Sequence, residues 1–268
     1  MQQSERAGMS LTTWCYNSLV MQLQIEGRTE ELGAVVNAME VADVPFDDYT
    51  HYALDEVSWG ELSRMRRAQL LRLLDRHSPS ARTAAWALFD GLLERGCADE
   101  HQLNVMLTRA CDSSTEQRAL HTRCEESGMA LTAMAFNPLL VTLQVEGRAD
   151  DLDAVLGDMD ERGIERNERT DRALELATST EQVSRMRTSR LTKLLRMGQH
   201  EAAWALYSQL LDRGAADSHN VATMSMHACD TGAARRDLLA EAEGEGQSPP
   251  AASSDTAAAH SCRPKRAH

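Results

Sequence analysis

The stretch TTWCYNSLVMQLQIEGRTEELGAVVNAME (residues 12–40) returns 120 residues later as TAMAFNPLLVTLQVEGRADDLDAVLGDMD (residues 132–160), with Asn17 falling on Asn137. In the first copy Leu19, Val20 and Leu23, then Leu32, Val35, Val36 and Met39, recur at spacings of three and four. Such spacing gathers each set on one face of a helix. Between the sets stands Glu26-Gly27-Arg28. Glycine supplies the left-handed backbone that ends one helix and lets the chain reverse. The stretch therefore predicts two antiparallel helices of about 12 residues each.

The likeness continues outward. Ser63-Arg64-Met65-Arg66 pairs with Ser184-Arg185-Met186-Arg187, Ala85-Trp86-Ala87-Leu88-Phe89 with Ala203-Trp204-Ala205-Leu206-Tyr207, and Ala110-Cys111-Asp112 with Ala228-Cys229-Asp230. The offset stays between 118 and 121, with small insertions such as DRHSPSART at 75–83. These are two copies of one long unit. Two separate domains in tandem would call for a linker rich in Pro, Gly or Ser, whereas residues 112–137 keep a helical pattern, which predicts one continuous array. Helix pairs are expected at 13–47, 63–100 and 101–132 in the first copy, and at 133–167, 184–218 and, incompletely, 219–240 in the second. Residues 48–62 and 168–183 fall between pairs in both copies and read as helical in part, each a single extra helix that breaks the regular period. A helix pair cannot bury its apolar face alone, and stacking of neighbours does so. The expected fold is an all-α solenoid of helix-turn-helix repeats, internally duplicated. Residues 1–12 read as a leader or the end of a preceding repeat, because Glu5–Met9 aligns with Glu125–Met129. Residues 241–268, rich in Pro, Ser, Ala and Gly, are expected to be a disordered tail.

Composition agrees with this class: 4% aromatic residues and six prolines among 268 residues leave a chain dominated by strong helix formers. No run approaches the ~20 apolar residues of a membrane span, so no membrane partner is expected. Six cysteines (Cys15, Cys97, Cys111, Cys124, Cys229, Cys262) show no C-x-x-C pair and no metal-ligand spacing. They read as reduced, buried thiols. His101 and His219 occupy duplicated positions and, with His227 and the cysteines, read as core or surface residues. No metal site and no cofactor are expected. The sequence carries no phosphate-binding loop, H-E-x-x-H, G-x-S-x-G or G-x-G-x-x-G. The expectation is a binding platform without catalytic activity or a small-molecule substrate.

Tyr16-Asn17-Ser18-Leu19-Val20 with Glu26-Gly27-Arg28, and Phe136-Asn137-Pro138-Leu139-Leu140 with Glu146-Gly147-Arg148, resemble the pentatricopeptide repeat (PPR). Glu201–Tyr207 through Arg213-Gly214 is similar to that family's second helix, and Glu161-Arg162-Gly163-Ile164 to its repeat-ending turn. The Trp-x-x-Leu-Gly-x-x-Tyr signature of the tetratricopeptide repeat is absent. The resemblance covers residues 8–230 and implies a right-handed α-α superhelix that binds single-stranded RNA, one base per repeat read by two or three side chains. It also implies a place in mitochondrial or plastid RNA metabolism, in processing, stability or translation.

A small polar residue near the start of each first helix is the first expected reader: Asn17, Asn137 and Thr188. The second lies 30 residues on: Asp47, Asn167 and Ser218. By the resemblance, Asn17 with Asp47 would favour uracil, Asn137 with Asn167 a pyrimidine, and Thr188 with Ser218 a purine. Trp14 and Met134, three residues before the first readers, would stack on bases, at about 1–3 kcal/mol each. Trp86 and Trp204, in second helices, read as core. Arg64, Arg66, Arg67 and Arg72 in one copy, and Arg185, Arg187, Arg190, Lys193 and Arg196 in the other, are candidates for phosphate contact. Arg187, Arg190 and Lys193 share a helix face by their spacing of three.

Other roles stay open for the same residues. Asn at a helix start serves as a cap worth about 1 kcal/mol, and Trp14 can cover a terminal core. A net charge of −13 opposes broad phosphate neutralisation, unless the acids at 30–31, 150–151 and 158–161 face away from the arginines. A protein-interaction scaffold, such as a structural subunit of an organellar ribosome, is the competing expectation.

Overall fold

The computed structural model describes residues 11–245 apart from 77, 149, 177–178 and 230. The expected leader through residue 10, most of the expected tail, and Cys262 lie outside these residues. The described residues form 14 helices and no strand, seven in each copy. They gather into two compact units dividing between Ala135 and Phe136.

In the first unit, α1 (Thr13–Glu26) ends at Gly27, whose φ of 72° lets its N–H reach the Gln24 carbonyl while Arg28 N–H reaches that of Leu23. The chain reverses through a 3-10 turn (Thr29–Glu31) into α2 (Leu32–Val41). Tyr16, Val20, Met21 and Leu23 of α1 and Val35 and Met39 of α2 bury themselves in one cluster. This is the helix, glycine turn, helix plan read from the apolar spacing. The short helix α3 (Asp48–His51) continues as a π turn (Tyr52–Glu56) and packs on α1. Then follow α4 (Trp59–Leu74), α5 (Pro79–Glu94), α6 (Glu100–Val105, continued as a π turn to Ala110) and α7 (Ser114–Glu126). Phe89, Leu103, Leu107, Leu120 and Cys124 form their shared core.

The second unit repeats the order with α8 (Ala133–Val145, whose first turn belongs to the first unit), α9 (Asp150–Glu161), α10 (Glu168–Leu176), α11 (Thr180–Arg196), α12 (His200–Asp212), α13 (Ser218–His227) and α14 (Gly232–Glu245). Leu191, Leu195, Tyr207, Leu210, Met224 and Leu238 form its core.

Three local boundaries differ from the sequence expectation. Helices α4 and α11 begin at Trp59 and Thr180, four residues ahead of 63 and 184. At α4 a capping box sets the start: Ser58 Oγ accepts from Glu61 N–H while the Glu61 carboxylate accepts from Ser58 N–H. The last pair is complete, with α14 running to Glu245, four residues beyond the expected start of the tail at 241. The segments between pairs are helical in part, as expected, to Glu56 and Leu176.

Candidate functional site

Asp47 caps α3. Its Oδ1 accepts from Thr50 N–H at 2.8 Å and from Thr50 Oγ1 at 2.9 Å, while Thr50 Oγ1 accepts from Asp47 N–H. Asn17, on the fifth residue of α1, joins this box. Its Nδ2 donates to Asp47 Oδ1 at 2.9 Å, and its Oδ1, 2.7 Å from Thr50 Oγ1, shares the single Thr50 hydroxyl proton with Asp47 Oδ1. The two bonds fix which end of the carboxamide is oxygen. The three hydrogen bonds to Asp47 hold its carboxyl below the usual carboxylate range, the Thr50 N–H contributing most, then Asn17 and the Thr50 hydroxyl.

The second copy repeats the cluster with a neutral cap. Asn137 Nδ2 donates to Asn167 Oδ1 at 3.3 Å, Asn137 Oδ1 accepts from Thr170 Oγ1 at 2.8 Å, and Asn167 Oδ1 accepts from Thr170 N–H at 3.1 Å. Residues 30 apart in sequence are thus direct partners in both copies. Each cluster ties the first helix of one pair to the start of the next helix on its side.

The third expected pair has a different register. The fifth residue of α11 is Ser184, not Thr188, because the helix starts four residues early, and the fifth residue of α4 is Ser63. Ser63 Oγ donates to Asp99, the cap of α6, whose Oδ1 also accepts from Gln102 N–H. In the second copy the cap is Asp217, so counting 30 from Thr188 lands one residue late, on the exposed Ser218. Thr188 instead accepts from Asn220 Nδ2 at 3.1 Å, and Asn220 is the third residue of that capping box. Sequence reasoning missed Ser63 with Asp99. The aligned blocks at 63–66 and 184–187, placed against the Ser58-x-x-Glu61 start signal, would have found it.

Asn17 and Asp47 lie on the wall of an open groove of about 720 Å³ between α1 and α4. Trp14, Tyr49, Met65 and Arg72 also line it. Asn17 is only 2% exposed, whereas Trp14 is 78% exposed at the rim. Met134, the counterpart of Trp14, is partly buried. The groove therefore combines aromatic faces, one guanidinium and a locked amide–carboxylate pair.

The arginines divide into two kinds. Arg187 points inward: Nε donates to Val145 O and Nη2 to Gln144 O, both at 3.1 Å, and Nη1 to Ala215 O. Arg66 does the same with Ile25, Gln24 and Cys97 carbonyls at 2.9, 2.9 and 3.0 Å, its guanidinium 5.0 Å from the Trp59 ring. Both guanidiniums neutralise the carbonyl ends of helices, where unsatisfied C=O groups collect, instead of facing outward to a phosphate. Burial lowers both pKa values from the ordinary arginine value. Arg64, Arg67, Arg185 and Arg196 are exposed, and Arg190 and Lys193 partly so. Arg185 pairs with Glu181. The acidic residues Glu31, Asp151, Asp158 and Asp160 form ion pairs with Arg28, Arg148, Arg162 and Arg166 on or near the surface.

Of the cysteines, Cys111, Cys124 and Cys229 are buried, Cys97 is partly buried and Cys15 is exposed, so burial does not hold for all. Cys15 sits on the uncovered outer edge of α1. Among the described residues no group of three or more His, Cys, Asp or Glu side chains could hold a metal ion, and no helix is long and apolar enough to cross a membrane. No protein-family model matches this chain, and none of the curated proteins does either.

Proposed function

We propose that this chain is a PPR-like RNA-binding protein whose helix pairs stack as a right-handed superhelix, and that the groove between α1 and α4 receives one base of a single-stranded RNA. The observation that carries the reading is the locked pair at the groove wall. After its bonds to Asp47 and Thr50, the Asn17 amide retains one N–H and one lone pair, and Asp47 retains Oδ2 as an acceptor. A donor beside an acceptor complements uracil, which offers O4 as acceptor and N3–H as donor. Asn167 in place of Asp47 offers an NH₂ instead, which suits the acceptor N3 of cytosine. Trp14 and Tyr49 supply stacking faces, and Arg72 and the exposed Arg64 and Arg67 supply positive charge. In the second copy Arg190, Lys193 and Arg196 take that role, and Arg187 a structural one. The work is binding, without catalysis, and the compartment that accompanies the resemblance is mitochondrion or plastid.

The test is fluorescence anisotropy with short homopolymeric RNAs. The native chain should prefer oligo(U), and Asp47→Asn should shift preference toward oligo(C) without loss of helicity. Indifference to Asp47 would remove the reading.

A protein scaffold remains the second reading. Two observations favour it: the net charge of −13, and the 2% exposure of Asn17, whose bonds also suffice as a staple between helices. Under that reading no RNA is retained at moderate salt, and the staple mutations alter stability alone.

A further inference from the structure

Internal duplication supplies one interface whose two halves have exposed counterparts elsewhere among the described residues. In the first copy, α6 and α7 with the end of α5 form an apolar groove. Leu103 and Leu107 of α6 and its π turn, and His121 and Cys124 of α7, are all at most 6% exposed. What covers them is the segment that follows, Met129–Ala135. Ala135 belongs to the same buried cluster, Met129 and Leu131 pack against it, and the Ala135 carbonyl lies 3.1 Å from His121 Nε2.

The second copy has the same groove 118 residues later, on α13 and α14 with the end of α12. There Val221, Ser225, Leu239 and Ala242 stand where Leu103, Leu107, His121 and Cys124 stand in the first, and none is buried. Leu239 is 46% exposed where His121 is 6%. A groove of about 560 Å³ lies open between Leu211, Val221, Met226, Leu239 and Ala242. The residues in the place of Met129–Ala135 read QSPPAAS (247–253), with no Leu or Met to fill it.

The other half is exposed at Thr12, Trp14 and Cys15, while Leu11 packs on the α1–α2 core. Leu11-Thr12-Thr13-Trp14-Cys15 aligns with Leu131-Thr132-Ala133-Met134-Ala135 at the 120-residue offset. Ala135 is 2% exposed, but Cys15 is exposed and Trp14 is 78% exposed. The segment that fills the groove in one place has a counterpart whose Trp14 and Cys15 stand exposed.

We infer that a second copy of this chain is the occupant: the outer edge of α1, from Leu11 to Cys15, docks into the α13–α14 groove of another molecule. The contact reproduces one the chain already makes with itself. Because it joins two different surfaces, it is head-to-tail, leaves one free half at each end, and grows with concentration. Trp14 belongs both to this edge and to the lining of the α1–α4 groove, so docking and a base stacked in that groove compete for its ring.

The experiment is light scattering or sedimentation of the native chain, Leu239→Glu and Cys15→Glu. Both substitutions are at exposed positions, and circular dichroism checks that helicity is kept. The native mass should rise above the 29.6 kDa monomer with concentration, each variant alone should stay monomeric, and an equimolar mixture should reach twice the monomer mass and stop. Each variant keeps the half that the other has lost. In parallel, alkylation of Cys15 in the native chain, followed by peptide mass, should slow as concentration rises. A native chain that stays at 29.6 kDa at every concentration overturns the inference, whether residues 246–268 or another protein cover the groove. Association that survives either substitution, or a mixture that fails to pair, overturns the head-to-tail arrangement.

Discussion

Arg66 Nη2 donates to the carbonyl of Gln24 at 2.9 Å, and the same bond recurs between Arg187 and Gln144 at 3.1 Å. In each copy one guanidinium, on the eighth residue of a long first helix, closes the C-terminal end of the preceding first helix and the loop after the following second helix. Arg66→Ala should cost roughly 2–4 kcal/mol, since it strands three carbonyls at once. Arg66→Lys should recover only part of this, because an ammonium cannot match the planar fork. Arg67→Ala, one residue along and exposed, should change stability by about 0.5 kcal/mol or less. Chemical denaturation of the three variants measures the contrast. Equal losses would mean that the carbonyl contacts contribute nothing specific.

Those arginines mark the limit of what the amino-acid order discloses. The apolar spacing of Leu19, Val20 and Leu23, and Gly27 after them, act within one turn of chain, so the helices and their reversals could be read directly. The pairing of Asn17 with Asp47, and of Asn137 with Asn167, is legible only through the family resemblance, which sets the two positions 30 residues apart; that they bond each other directly appears in the structure alone. Arg187, in contrast, stood in a run of exposed cations at helical spacing, and its inward turn depends on carbonyls from Gln144 and Ala215, far away in sequence. Thr188 falls out of register for a local reason: the aligned block begins at Ser184, four residues after the first residue of α11. The open groove on α13 and α14 required comparing the burial of equivalent positions, which no pattern of letters contains.

Acid should loosen one copy of the staple and spare the other. Asp47 has its pKa lowered by folding, first through the Thr50 N–H and then through Asn17. The folded state therefore binds a proton less readily than the unfolded chain. The contribution is fully present above the ordinary carboxylate pKa and is lost as pH falls through the lower folded value. Asn167, in the equivalent place, does not titrate. Hydrogen exchange at acid pH should show Thr50 N–H losing protection while Thr170 N–H keeps it, after correction for intrinsic rates. Parallel behaviour of the two amides would show that the cap charge is irrelevant.

Thiol chemistry should separate the cysteines by site. Cys15 is exposed, and hydrogen bonding by the Thr12 hydroxyl and backbone lowers its pKa, which favours the thiolate. Burial pushes the Cys124 thiol up to about 11. In dilute native protein, iodoacetamide should label Cys15 well ahead of Cys97 and leave Cys111, Cys124 and Cys229 untouched until denaturant is added. Early labelling of Cys124 would mean that the α6–α7 core opens readily.

The glycine turns should also grade by their surroundings. Gly147 and Gly163 share a positive φ, 70° and 67°, so an alanine at either meets about 1–2 kcal/mol of backbone strain. At Gly163 the added Cβ would meet nothing within 4 Å, but at Gly147 it would lie 2.9 Å from the Ala215 Cβ. Ala215 cannot swing away, having no further side-chain torsion, and its carbonyl is held by Arg187. The backbone must move instead, which adds roughly 1–3 kcal/mol and disturbs the arginine cap. Gly147→Ala should therefore be the more destabilising by thermal melting, and Arg187→Ala should narrow the gap by freeing the loop at Ala215. A gap that Arg187→Ala leaves unchanged would place the clash outside that network.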